Sequence, residues 1–137
     1  MAAAKVTMSD VGLLVLRVAG AYLAVHGFEK VSAGVQDPAN WGFVGAVKSM
    51  NFPLPHVFAW AAALSELVGG AAVALGVYTR VAALACAVTM FVAAFMKHGD
   101  DGFGKMEAAL VYLSVFVGVA FLGGGKLSID AMWRKKG

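Results

Sequence analysis

The sequence is poor in the features that mark most soluble enzymes. Of its 137 residues one is cysteine, three are proline and three are histidine, and only 14% are charged. A single cysteine, Cys86, excludes an internal disulfide and any cysteine-based metal cluster. It lies inside an apolar run, where a thiol is ordinarily a small packed group. No glycine-rich nucleotide loop and no nucleophile–base motif occurs, so no complete, autonomous catalytic motif is present. The formal charge of +3 comes from basic residues that flank apolar runs, a distribution that fits membrane topology and excludes nucleic acid as the partner. Soluble domains carry about 25% charged and roughly 45–50% apolar residues, against 61% apolar here.

What the chain does have is long apolar sequence. The runs are continuous and rich in Ala, Leu and Gly, without the ten-residue alternation of a closed barrel. They are apolar nearly all round, which excludes a soluble amphipathic bundle. The length suits a single membrane domain over 1–137. The spacing predicts an all-α, polytopic protein: a four-transmembrane-helix bundle with helices near 11–28, 56–78, 81–97 and 106–122. A weakly polar leader occupies residues 1–8. The apolar stretch Val11 to Leu16 is cut short by Arg17, too soon for a cleavable signal. Ser9 and Asp10 offer helix caps there. Asp37-Pro38 is a helix start, and residues 38–51 predict a short interfacial helix between helices 1 and 2. The turn Tyr78-Thr-Arg80 is so short that helices 2 and 3 must be antiparallel neighbours. A glycine triplet, 123–125, ends helix 4, and the tail closes on Arg134-Lys135-Lys136.

Two charges fall inside the apolar runs. Glu66 is the one charged side chain between His56 and Arg80, and Arg17 interrupts helix 1. Either alone at the bilayer centre costs about 2.5–3.5 kcal/mol on insertion scales. If His26 and His56 mark one membrane face, the two lie at nearly the same depth, and a buried Arg17–Glu66 ion pair is the expectation. Small residues lie beside both, namely Gly20, Ala21 and Ala24 on helix 1, and Ala62, Gly70 and Ala74 on helix 2. They let helices approach closely and also suit homo-oligomerisation.

The loops fix an expected orientation. One side holds Lys5, Arg80, Lys126, Arg134, Lys135 and Lys136; the other holds Lys30, Lys48, Lys97 and Lys105 diluted by five acids. The positive-inside rule then puts both termini in the cytoplasm. This topology gathers His26, His56 and His98 at the outward end, with Glu29 and Glu107. Imidazoles there are candidate ligands for copper or another metal, or for haem. A quinone needs only one or two hydrogen-bonding groups at the mouth of an apolar cleft, and His26, Lys30, His98 and Glu107 form that candidate site.

Several short motifs occur in a definite order. They are Leu16-Arg17, His26-Gly-x-x-Lys30, Pro53 before helix 2, Glu66-Leu-x-Gly-Gly70, Gly76-x-x-Thr79-Arg80, His98, Glu107 and Gly125-Lys-Leu-Ser-Ile-Asp130. In these the chain resembles the DoxX family of small four-helix membrane proteins, from about Val11 to Trp133. The resemblance implies a bacterial inner-membrane protein linked to redox pathways. Proteins of this kind serve as a subunit of thiosulfate:quinone oxidoreductase, as anchors for thiol-oxidation and superoxide-defence complexes, or in maturation of other membrane proteins. The sequence therefore leaves three readings: a quinone-linked subunit or partner of an oxidoreductase complex, a non-catalytic anchor or assembly factor, and a metal- or haem-binding protein using the outward histidines.

Overall fold

The computed structural model describes residues 5–136, so the first half of the leader lies outside the described residues. Four helices are long and apolar enough to cross a membrane: α1 Met8–Gln36, α3 Pro55–Leu75, α4 Thr79–Lys97 and α5 Phe103–Leu122. Among the described residues two short α-helices and one 3-10 turn, Pro38–Asn40, complete the fold, so the helix expected over 38–51 is divided at Trp41. Helix α2, Gly42–Ser49, lies between the first two spans, and α6, Ile129–Lys136, follows the last. The chain is all-helical, as the unbroken apolar runs require.

Helix α1 starts earlier than Ser9 or Asp10 would cap it. Thr7 is the cap, and it forms a reciprocal box with Asp10: the Thr7 hydroxyl accepts from the Asp10 amide while the Asp10 carboxylate accepts from Thr7. The helix also continues past residue 28, to Gln36. Its extra turns are held by packing, since Gly34 lies flat against the Trp41 ring and Val31 joins the cluster of Trp41, Val47, Ala59 and Ala63. At 1.5 Å per residue this 29-residue helix is about 43 Å long, well beyond roughly 30 Å of hydrocarbon.

Helices α1 and α3 run antiparallel with their backbones touching. A methyl group added to Gly70 would sit 2.5 Å from the Gly20 carbonyl oxygen, and one on Gly27 would overlap the backbone at Glu66 and Leu67. This is the close approach that small residues permit between membrane helices. Helix α3 reaches its end at Gly76, whose left-handed conformation (φ 75°) turns the chain into α4. Helices α4 and α5 pack along most of their length, and Val73, Ala83, Cys86, Phe116 and Val119 form the centre of the core. Two turns are wider than α-helical, at Ser65–Gly69 in α3 and Val92–Lys97 closing α4. Such π-turns often mark functional positions.

Candidate functional site

The expected Arg17–Glu66 pair does not form. Arg17 is buried at 2% exposure, but its guanidinium donates to four backbone carbonyls. Nε donates to Val73 (3.0 Å), one terminal nitrogen to Ala74 (2.9 Å), and the other to Gly124 (2.9 Å) and Leu127 (2.8 Å). Val73 and Ala74 lie in the last turn of α3, where carbonyls lack helical partners and the helix dipole favours a cation. The two charges do not share a depth, because α1 does not end near residue 28. Its continuation to Gln36 slides the register, so that Arg17 meets the end of α3 and Gly27 meets Glu66.

Glu66 pairs instead with Lys30, one turn beyond Gly27. Lys30 Nζ lies 2.7 Å from Oε1 and 2.8 Å from Oε2, so the ammonium bridges both carboxylate oxygens. The Glu66 side chain is 3% exposed and that of Lys30 is 33% exposed. Lys30 also sits 4.5 Å from the centre of the Phe43 ring on α2, a cation–π contact that ties α2 to the pair. Helix α2 is thus more than a surface helix. Its Val47 and the preceding Trp41 are buried, and the Trp41 ring packs at a tilt of 50° against Trp60 of α3 with ring centres 4.7 Å apart.

The Lys30–Glu66 pair forms part of the wall of a cavity of about 750 Å³ between α3 and α4, roofed by α2. Most of its lining is apolar, including Phe43, Phe58, Leu84 and Val88. It runs from Val81 near the start of α4 to His98 just past its end, about 25 Å along the helix axis. The polar groups are few: Ser65, Thr89 and the Lys30–Glu66 pair within, Lys97 and His98 at the end where α4 finishes. Thr89 donates to Ser65 (3.1 Å), which fixes both hydroxyls on the wall. Both π-turns border this space, through Ser65 and Glu66 on α3 and Val92, Ala93 and Lys97 on α4. His98 Nδ1 lies 3.0 Å from Asp101, and that bond holds the Asp101 carboxyl below the usual carboxylate range.

Of the four candidates for the outward site, Lys30 and His98 share this cavity and His26 and Glu107 do not. His26 is exposed on α1, 3.9 Å from Glu29, and Glu107 is exposed on α5. His56 is exposed at the start of α3. Among the described residues no three side chains of His, Cys, Asp or Glu come together as a metal would need, so the histidines form no cluster.

A family model described as DoxX matches residues 12–99. The chain belongs to the DoxX family. A protein of Haemophilus influenzae described as uncharacterized is 31% identical over 137 aligned residues, covering 93% of this chain and 86% of the relative. No solved structure matches. In this DoxX protein the motifs now have physical roles. Gly27 and Gly70 are the backbone contacts between α1 and α3, Lys30 and Glu66 are the pair beside them, and Gly76 makes the turn. The tail motif 125–130 is a clasp. Asp130 accepts from the Tyr78 amide (2.7 Å) and from the Thr79 amide (2.8 Å) and hydroxyl (2.6 Å), capping α4. Asp10 accepts from the Lys126 amide (3.0 Å), and Ser128 starts α6. Sequence reading missed the Lys30–Glu66 pairing, although both residues stood in its motifs. It also missed Ser65 and Thr89, which carry no signal apart from being polar in apolar runs.

Proposed function

We propose that this DoxX protein is a quinone-binding subunit or partner of an oxidoreductase complex in the bacterial inner membrane. The carrying observation is the cavity, long and apolar, with a Lys–Glu ion pair inside and His98 at its outer end. An isoprenoid quinone has matching parts, a lipid tail and a ring with two carbonyl acceptors. Lys30 or Ser65 donates to one carbonyl and His98 to the other. Reduction of the ring takes two electrons and two protons. The partner oxidoreductase supplies the electrons, while His98 and the Lys30–Glu66 pair are the groups placed to exchange protons. The six basic residues from Lys5 to Lys136 on the far side support cytoplasmic termini, with the His98 end facing outward.

The test is a titration of detergent-solubilised protein with a short-chain ubiquinone, followed by tryptophan emission. Trp41 packs against both Trp60 and the cavity residue Phe43, whereas Trp133 lies on α6 at the other end of the molecule, so the Trp133→Phe background reports the cavity alone. Saturable quenching that Ala85→Phe, which fills the cavity without adding a tryptophan, abolishes is the expected result. Linear, non-saturating quenching in both proteins would reject the reading and favour the anchor or assembly role.

A further inference from the structure

The opposite end of the molecule carries a second, smaller cavity, of about 440 Å³, that the quinone reading does not use. It is built where the start of α4, the glycine turn after α5 and α6 meet. Arg80 and Arg134 both line it, together with Tyr78 and Trp133, whose rings meet edge-on with centres 5.7 Å apart. The one acid present, Asp130, is engaged by three donors from Tyr78 and Thr79. Among the described residues, neither arginine lies within salt-bridge distance of a carboxylate. Arg80 is held against the turn at Gly123, where an added Cβ would stand 3.1 Å from its Nε. Gly123 has φ 80°, so the turn itself depends on glycine.

We propose that this cavity binds the phosphodiester headgroup of an anionic lipid. Two guanidinium groups that form no salt bridge among the described residues, with Asp130 held by Tyr78 and Thr79 and within electrostatic reach of Arg134, present the planar donors that phosphate oxygens match. A Tyr–Trp pair beside them marks the depth of the headgroups. The choice of lipid over a free phosphate rests on what adjoins the cavity on its membrane side. Val81 in its wall, and Phe121 and Leu122 on α5 just before Gly123, are exposed at 70%, 79% and 61%, an apolar surface against which acyl chains lie.

The experiment is native mass spectrometry of the full chain released from mixed micelles of phosphatidylglycerol and phosphatidylcholine. The wild type should retain phosphatidylglycerol in preference to phosphatidylcholine. Each of Arg80→Gln and Arg134→Gln should weaken that preference about fivefold, and the double variant about 25-fold, from about 1 kcal/mol per basic residue at a membrane surface. Lys135→Gln, on the same helix but outside the cavity, should change it least. Equal retention of both lipids by the wild type would overturn the proposal without reference to any variant's folding. Displacement of phosphatidylglycerol by millimolar inorganic phosphate would also overturn it, in favour of a free-anion site.

Discussion

At the scale of single residues, this protein handles two buried charges in two different ways. Among the described residues Arg17 forms no salt bridge, and its charge is stabilised by dipoles, four carbonyls from α3 and the turn after α5. Arg17→Met should therefore leave acceptors from two segments unsatisfied and cost about 3–5 kcal/mol, seen as a large fall in Tm in detergent. Arg17→Lys, with its compact ammonium, should recover only part of it. Glu66 is neutralised by Lys30. Lys30→Met should cost about 2–3 kcal/mol, below the usual range for an enclosed pair because Lys30 is one-third exposed. Removing both charges, as Lys30→Met with Glu66→Leu, should restore most of the loss, and a double-mutant cycle with Arg17→Met should show no coupling to Glu66→Leu. Coupling between Arg17 and Glu66 would reinstate the pair that the sequence alone suggests. Both charges were legible in the sequence, since any charge in an apolar run must be compensated. Their partners were not, because partners depend on helix register, and the length of α1 is set by Gly34 and Val31 packing on Trp41.

At the scale of elements, glycines decide how close the helices come. Gly20, Gly27 and Gly70 leave no room for a methyl group without displacing backbone. Gly70→Ala should destabilise by about 1–3 kcal/mol through overpacking. Gly118→Ala, where the added methyl meets nothing within 4 Å, should be neutral or gain up to about 1 kcal/mol from helix propensity. Thermal unfolding of the two variants side by side checks the contrast. The tail is the second element-scale device. Burial of Asp130 by itself would raise its pKa, but the Thr79 hydroxyl and the Thr79 and Tyr78 amides outweigh that, so the carboxyl lies below the usual aspartate range. A folded pKa below the unfolded value of about 3.9 means that the clasp contributes fully above about pH 4. Its contribution is lost as pH falls through the lower, folded value. Asp130→Asn should lower Tm at neutral pH and flatten the acid limb of the Tm–pH curve. The four spans could be read from hydropathy because the bilayer demands long apolar helices. The clasp could not, since its hydrogen bonds join residues about fifty positions apart.

At the scale of the whole molecule, the two ends are specialised. Arg17 and the tail clasp tie one end together, while the cavity between α3 and α4 extends from Val81 at that end, beneath α2, to His98 at the other. Lys30 connects these features, since it neutralises Glu66, lies against Phe43 on α2 and lines the cavity. The four expected outward-site residues were partly brought together, Lys30 and His98 at the cavity and His26 and Glu107 elsewhere. His26 points away because Gly27 takes the inward-facing position on that turn of α1. Organic extraction of gently purified protein tests most directly whether the cavity holds the proposed quinone. A difference spectrum of the extract, before and after borohydride reduction, should reveal quinone close to one per chain. Ala85→Trp, with an unchanged Tm, should lower that content at least tenfold. An extract free of quinone, from protein that also takes up none when reconstituted into quinone-loaded vesicles, would contradict the account.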